Sequence, residues 1–113
     1  MASDWAELAY YIRIGPISEN KAQEIKRKYS SEYITSHKKR DNSGFTISVK
    51  IIDGVNYCFL KEMLNTMQIE RDNYDLFVSV ITESDTEIIE IPEYVERVAK
   101  LIAAQYVFSF TVV

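Results

Sequence analysis

The densest group of side chains able to do chemistry is a run of acids near the C-terminus. Six carboxylates lie between positions 83 and 96 with no basic residue among them: Glu83, Asp85, Glu87, Glu90, Glu93 and Glu96. Clustered carboxylates create a negative field that can steer a basic partner toward them. Most charge runs are solvated faces. The run therefore predicts either an ordinary solvated surface or a docking surface for a positively charged protein.

Residue types needed for catalysis or metal binding are scarce. A Cys or Ser nucleophile needs a base, nearly always His. The chain has one His, His37, which we expect in a loop, and one Cys, Cys58, which we expect as a small core residue. Zinc sites need several such ligands, and no acidic stretch has the spacing of an EF-hand calcium loop. We therefore predict no catalytic residue, no metal site and no cofactor.

The charge distribution also argues against nucleic acid as a partner. Residues 1–50 carry nine basic and six acidic residues, whereas residues 51–113 carry four and eleven, for a net charge of −4. The Lys38-Lys39-Arg40 cluster could contact phosphates, but binding to nucleic acids or anionic membranes normally needs a basic excess. The strand at Phe45 lacks the aromatic signature of an RNA-recognition fold. Neither nucleic acid nor membrane is an expected partner.

The elements that must position these residues follow from hydrophobic periodicity. Apolar residues at every second position predict strands, and apolar residues three and four apart predict helices. Ser18 is a candidate N-cap, and Pro92 suits the first position of a helix. The predicted strands cover 8–14, 33–35, 45–51, 76–81, 87–91 and 106–112, and the predicted helices cover 19–30, 57–67 and a segment beginning at Pro92.

From Phe45 onward the predicted order is strand, helix, strand, strand, helix, strand. That order is typical of a split-βαβ, or ferredoxin-like, unit over residues 45–113. The fold class we predict is α+β: a single two-layer domain over residues 1–113, with a mixed, mostly antiparallel sheet of five or six strands and about three helices.

Three features of composition favour a cytoplasmic binding module. One Cys cannot form an internal disulfide, and no apolar run has the length of a membrane span or the layout of a signal peptide. Eight tyrosines exceed the needs of the core, and Tyr is enriched at protein interfaces. Tyr11, Tyr74 and Tyr94 are those we expect to be exposed.

The segment 75–113 contains a strand, an acidic turn, a second strand, a helix begun by Pro92 and an apolar last strand. In this pattern, the chain resembles the small bacterial immunity proteins of contact-dependent growth inhibition and polymorphic toxin systems. The resemblance implies a cognate toxin domain as partner, usually a nuclease, which the protein binds and inhibits without catalysis of its own.

A toxic nuclease must present a basic groove to phosphates, and clustered carboxylates could occupy that groove. The partner-binding residues we predict are Asp72, Asp75, Glu83, Asp85, Glu87, Glu90, Glu93 and Tyr94. Such a protein is expected to be a monomer or a weak dimer. Two alternatives remain open: a homo-oligomeric or small-ligand-binding α+β domain, and a small hydrolase-type enzyme.

Overall fold

The computed structural model describes residues 6–29, 34–38, 44–83 and 89–113, with only the backbone for residues 36–38. Within these residues the chain forms five strands and three α-helices. Their order is β1 (Ala6–Ile17), α1 (Glu19–Lys28), β2 (Ile34–Lys38), β3 (Phe45–Lys50), α2 (Phe59–Thr66), a short 3-10 helix (Arg71–Asn73), β4 (Tyr74–Thr82), α3 (Glu93–Ile102) and β5 (Tyr106–Val112).

All five strands form one sheet in the order β2-β3-β1-β4-β5. Three of the four neighbouring pairs are antiparallel, and only β4 and β5 are parallel, joined by α3. The 12-residue strand β1 occupies the centre of the sheet. The prediction of a mixed, mostly antiparallel sheet with three helices is confirmed.

The core lies on one face of this sheet, which makes the domain two-layered. Alternate residues of β1 and β4 are buried there, as period-two patterning requires: Tyr10, Ile12, Ile14, Leu76, Val78 and Val80. The apolar stripes of the three helices join them in one cluster, with Ile25, Leu60 and Val95 fully buried. On the opposite face, Tyr11 and Phe77 are half-buried and no described helix covers them.

Local signals set the helix ends. Ser18 caps α1, since its hydroxyl accepts a hydrogen bond from the Lys21 amide at 3.2 Å. Pro92 lies at the N-cap of α3, one position before its predicted place. At the other end of α3, Ala103 adopts a left-handed conformation that stops the helix.

Two of the predicted strands differ from what the structure shows. The strand predicted over 33–35 is β2, which extends through Lys38, so the backbone of His37 lies in a strand and not in a loop. Residues 89–91 form no strand, although Ile89 and Ile91 pack against the core. Residues 84–88 lie outside the described ranges.

The reason for the second difference is the position of β4. This strand pairs with β1 along one edge and β5 along the other, so no edge remains for a returning arm. Within the described residues the order from Phe45 is therefore strand, helix, strand, helix, strand. The α+β class is confirmed, but β4, α3 and β5 form a simple βαβ unit in which the two strands are neighbours. In the described parts of the chain, no helix has both the length and the apolarity to cross a membrane.

Candidate functional site

The predicted acidic residues that the structure describes divide into two groups, one before and at the start of β4 and one after it, from Glu83 to the start of α3. Asp72 lies in the 3-10 helix before this strand, Asp75 is its second residue, and Glu83 follows its last residue. A strand of nine residues is about 26 Å long. Asp72 and Asp75 are therefore separated from Glu83 by about the length of this strand.

Asp75 forms an ion pair with a residue of the neighbouring strand. Arg13 on β1 donates two hydrogen bonds to its carboxylate, from Nε to Oδ1 at 2.9 Å and from Nη2 to Oδ2 at 2.8 Å. The same guanidinium lies 4.0 Å from the centroid of the Phe77 ring. Since Arg13 neutralises it, Asp75 contributes little to a negative docking surface. Asp72 is exposed beside this pair.

The other group gathers where α3 begins. The Tyr74 hydroxyl donates to the Ile102 carbonyl at 2.7 Å, so α3 ends above the start of β4 and runs back along it. Its first turn lies above the middle of β4, because Tyr94 contacts Tyr10, whose pairing partner is Val78.

Glu93 therefore lies above the middle of β4, five residues, or about 17 Å, before the level of Glu83. Glu90, exposed and three residues before Glu93, is within about 11 Å of it along the backbone. We call Glu83, Glu90 and Glu93 the acidic end. Asp85 and Glu87, also predicted to bind the partner, fall outside the described residues.

Glu93 has a partial counter-charge. Arg97, one turn along α3, donates a hydrogen bond to it at 2.9 Å, and this bond together with the guanidinium charge lowers the pKa of Glu93. Both side chains are exposed to solvent. Glu93 thus stays ionised, and its pairing with Arg97 is loose enough for a partner to replace it.

Tyr94 is half-buried, contrary to our expectation of an exposed side chain. Its ring packs edge-on against Tyr10, with centroids 6.4 Å apart and planes at 86°. The prediction considered only the stripe through Val95 and Val98, whereas the neighbouring loop also covers this flank of the helix. Tyr11 and Tyr74 are half-buried as well.

A cavity of about 530 Å³ opens beside Tyr94, between α3 and the loop that precedes α2. Arg97 and Asp53 line it, as does Cys58. Cys58 is exposed, so its predicted place in the core is wrong. It occupies the N-cap of α2, where its amide donates to Asn56 Oδ1 at 2.8 Å and its side chain lies outside the apolar stripe of the helix.

Sequence reasoning missed the apolar surface of β5. Within the described residues this strand is an edge of the sheet. Phe108, Phe110 and Val112 are 47%, 54% and 55% exposed. No signal in the sequence indicated this exposure, because the absence of any charged residue from Tyr106 to Val113 is typical of a covered strand and not of an edge.

The exposed end of β5 lies next to the acidic end. Val112 pairs with Thr82, and the Val113 amide donates to the Thr82 carbonyl at 2.9 Å. Glu83 is the next residue. An apolar patch with charged residues at its margin has the composition of a protein-binding surface.

The described residues contain no group of three or more His, Cys, Asp and Glu side chains placed to hold a metal ion. No protein-family model, curated protein or solved structure matches the chain.

Proposed function

We propose that this chain is an immunity-type protein that binds a cognate bacterial toxin domain of nuclease type and inhibits it without catalysis of its own. The observation that carries the proposal is the position of Glu83 beside the exposed apolar end of β5, with the exposed Glu90 and Glu93 at the start of α3. The proposal places the protein in the cytoplasm, where an incoming nuclease would meet its substrate.

The two parts of this surface have different physical roles. Carboxylates attract a basic nucleic-acid groove over long distances and accelerate association, particularly at low salt. Apolar side chains such as Phe110 and Val112 contribute affinity when water leaves them. A toxin that lost access to its phosphate-binding groove could not hold its nucleic-acid substrate.

The experiment begins with a candidate toxin, the C-terminal domain of a large secreted protein encoded next to this chain. The two proteins are co-purified, and inhibition of the domain's nuclease activity is titrated. The double variant Glu83→Lys and Glu90→Lys should then slow association at least about tenfold and flatten its dependence on salt. Association rates at several salt concentrations measure both effects.

The matched control is Glu70→Lys with Asp72→Lys, which makes the same charge change among exposed residues at the opposite end of β4. It should leave association nearly unchanged. Equal effects of the two double variants would show that only net charge matters and would overturn the assignment of the acidic end. Failure of the neighbouring toxin domain to bind or be inhibited would overturn the proposed function.

A further inference from the structure

Among the described residues no strand pairs with the outer edge of β5, and this free edge lacks the features that normally protect an exposed strand. Natural edge strands are short or carry charges, Pro or bulges that prevent pairing with another chain. The opposite edge of this sheet, β2, has five residues, with His37 and Lys38 among them. In contrast, β5 has seven residues, none of them charged and none of them Pro.

The backbone of β5 offers a regular row of hydrogen-bonding groups to a further strand. The Leu76 amide donates to the Gln105 carbonyl at 2.8 Å, and the Val113 amide donates to the Thr82 carbonyl at 2.9 Å. In a parallel ladder, alternate residues direct both backbone groups to the same neighbour. The odd-numbered residues from 105 to 113 therefore bond to β4. The even-numbered ones direct their N–H and C=O groups to the free edge: Tyr106, Phe108, Phe110 and Val112.

The outward backbone groups of β5 can pair with the same groups of a second copy of the chain. If a second copy pairs antiparallel with its two-fold axis at Ser109, Phe108 lies opposite Phe110 of the second copy, and Tyr106 lies opposite Val112. All four are residues with outward backbone groups, so the pairing is in hydrogen-bonding register and forms about eight new bonds. We propose that two copies of this chain dimerise through antiparallel pairing of their β5 strands, which joins the two sheets into one.

The exposed area of β5, if pairing covers all of it, reaches the lower limit for a specific interface. An aromatic side chain buries 150–250 Å² at most, so the half-exposed Phe108 and Phe110 present about 100 Å² each. With Tyr106, Val107, Val112 and the edge backbone, each copy buries about 500 Å². The total of about 1,000 Å² meets the lower limit for a specific interface.

Charge is compatible with this arrangement. Antiparallel pairing separates the two acidic ends, because each lies at the C-terminal end of its own β5. The acidic end of one copy instead approaches the start of the other copy's β5. There Arg71 and Lys100 line a hollow with Tyr106 and Glu96. The proposal rests on β5 alone and not on the inhibitory function. Because the dimer covers Phe110 and Val112, a toxin that binds through these side chains must displace the second copy.

The first test measures oligomeric state by light scattering coupled to gel filtration and by sedimentation. At about 100 µM the chain should have about twice its 13.1 kDa mass. Phe110→Lys places a charge in the centre of the apolar edge and should raise the dimer dissociation constant at least about 30-fold. Thr66→Lys, which adds the same charge at an exposed position of α2, should not change it.

The second test detects the register without weakening the strand. In a Cys58→Ser background, Ser109→Cys puts two thiols opposite each other at the two-fold axis. The Cα atoms of such a pair are about 4.5 Å apart, within disulfide range. Mild oxidation should produce a covalent dimer. Thr111→Cys, on the same strand and face, should not cross-link, because its copies are about 13 Å apart.

Dissociation by Phe110→Lys together with selective cross-linking at position 109 would support the proposal. A monomer at 100 µM, or a dimer that Phe110→Lys leaves intact, would overturn it. So would a dimer in which positions 109 and 111 cross-link equally or not at all.

Discussion

Arg13 and Asp75 are opposite each other on the neighbouring strands β1 and β4, joined by two hydrogen bonds of 2.9 and 2.8 Å across 62 positions of sequence. Their side chains are 35% and 25% exposed. The two-point geometry and partial shielding make this the strongest ion pair among the described residues.

Removal of this pair should destabilise the protein more than removal of the helical pair Arg97–Glu93, whose side chains are 71% and 76% exposed. We expect a coupling free energy of about 1 kcal/mol for Arg13–Asp75 and a smaller one for Arg97–Glu93, because water and salt screen the exposed pair. Double-mutant cycles with Arg13→Gln and Asp75→Asn, and with Arg97→Gln and Glu93→Gln, give both values from urea unfolding. Equal couplings would contradict the expected role of burial.

Tyr57→Phe should lower the free energy of unfolding by about 1–3 kcal/mol. The Tyr57 hydroxyl donates to the Lys50 carbonyl at 2.8 Å and accepts from the Ile52 amide at 2.9 Å, so its loss leaves two backbone groups unsatisfied. Tyr29→Phe is the matched control. Its buried hydroxyl has no hydrogen-bond partner within the described structure, so the change should be neutral or stabilising. Similar losses in both variants would show that the Tyr57 hydrogen bonds contribute nothing.

Stability should fall above about pH 10, in part because of Tyr10. Burial, followed by the neighbouring Tyr94, raises the pKa of Tyr10 above its ordinary value of 10.0. The unfolded chain therefore loses this proton first, and stability that is complete below pH 10 decreases as the pH rises through the folded pKa.

The free energy of unfolding of Tyr10→Phe should decrease less steeply with rising pH than that of the wild type. Urea unfolding at intervals from pH 8 to pH 11 makes the comparison. Burial also raises the pKa of Tyr57 and Tyr106, so part of the fall should remain in the variant. Parallel profiles for the two proteins would mean that Tyr10 titrates alike when folded and unfolded.

Gly15→Ala should lower the free energy of unfolding by about 2 kcal/mol or more. Gly15 has φ of +151°, and a Cβ atom there would lie 2.7 Å from the Phe45 carbonyl oxygen on β3. Gly54→Ala is the control. Gly54 also has a positive φ, of +83°, but no atom within 4 Å of the added Cβ, so only the backbone cost of about 1 kcal/mol applies. Thermal or urea unfolding compares the two variants. A Gly54 variant as destabilised as the Gly15 variant would contradict the steric argument.

The elements that were predictable from sequence have local causes. Alternation in β1 and β4 reflects one buried face per strand, and Val95 and Val98 form the stripe of α3. The predicted arm over 87–91 had similar local support, yet residues 89–91 form no strand, because β1 and β5 occupy both edges of β4.

The candidate site was predictable only in part. The acids at 83, 90 and 93 were identified from charge alone, and strand pairing places Glu83 next to the end of β5. Asp75 was identified by the same criterion, but Arg13 neutralises it from a strand 62 positions away. Cys58 and Tyr94 were assigned to the wrong environments, because a residue at a helix end or flank is covered or exposed according to the loop that packs there.

By itself, the sequence determined the fold class, most strands and helices, the Ser18 cap and the charge asymmetry, since each depends on neighbouring residues or on composition. The tertiary structure decided strand order, and strand order decided the rest. Strand order paired Arg13 with Asp75, separated the acids into two groups and left the apolar strand β5 at an edge. Local patterning shows that a strand is apolar. Only long-range pairing determines whether that strand has a neighbour on both sides or lies at an exposed edge of the sheet.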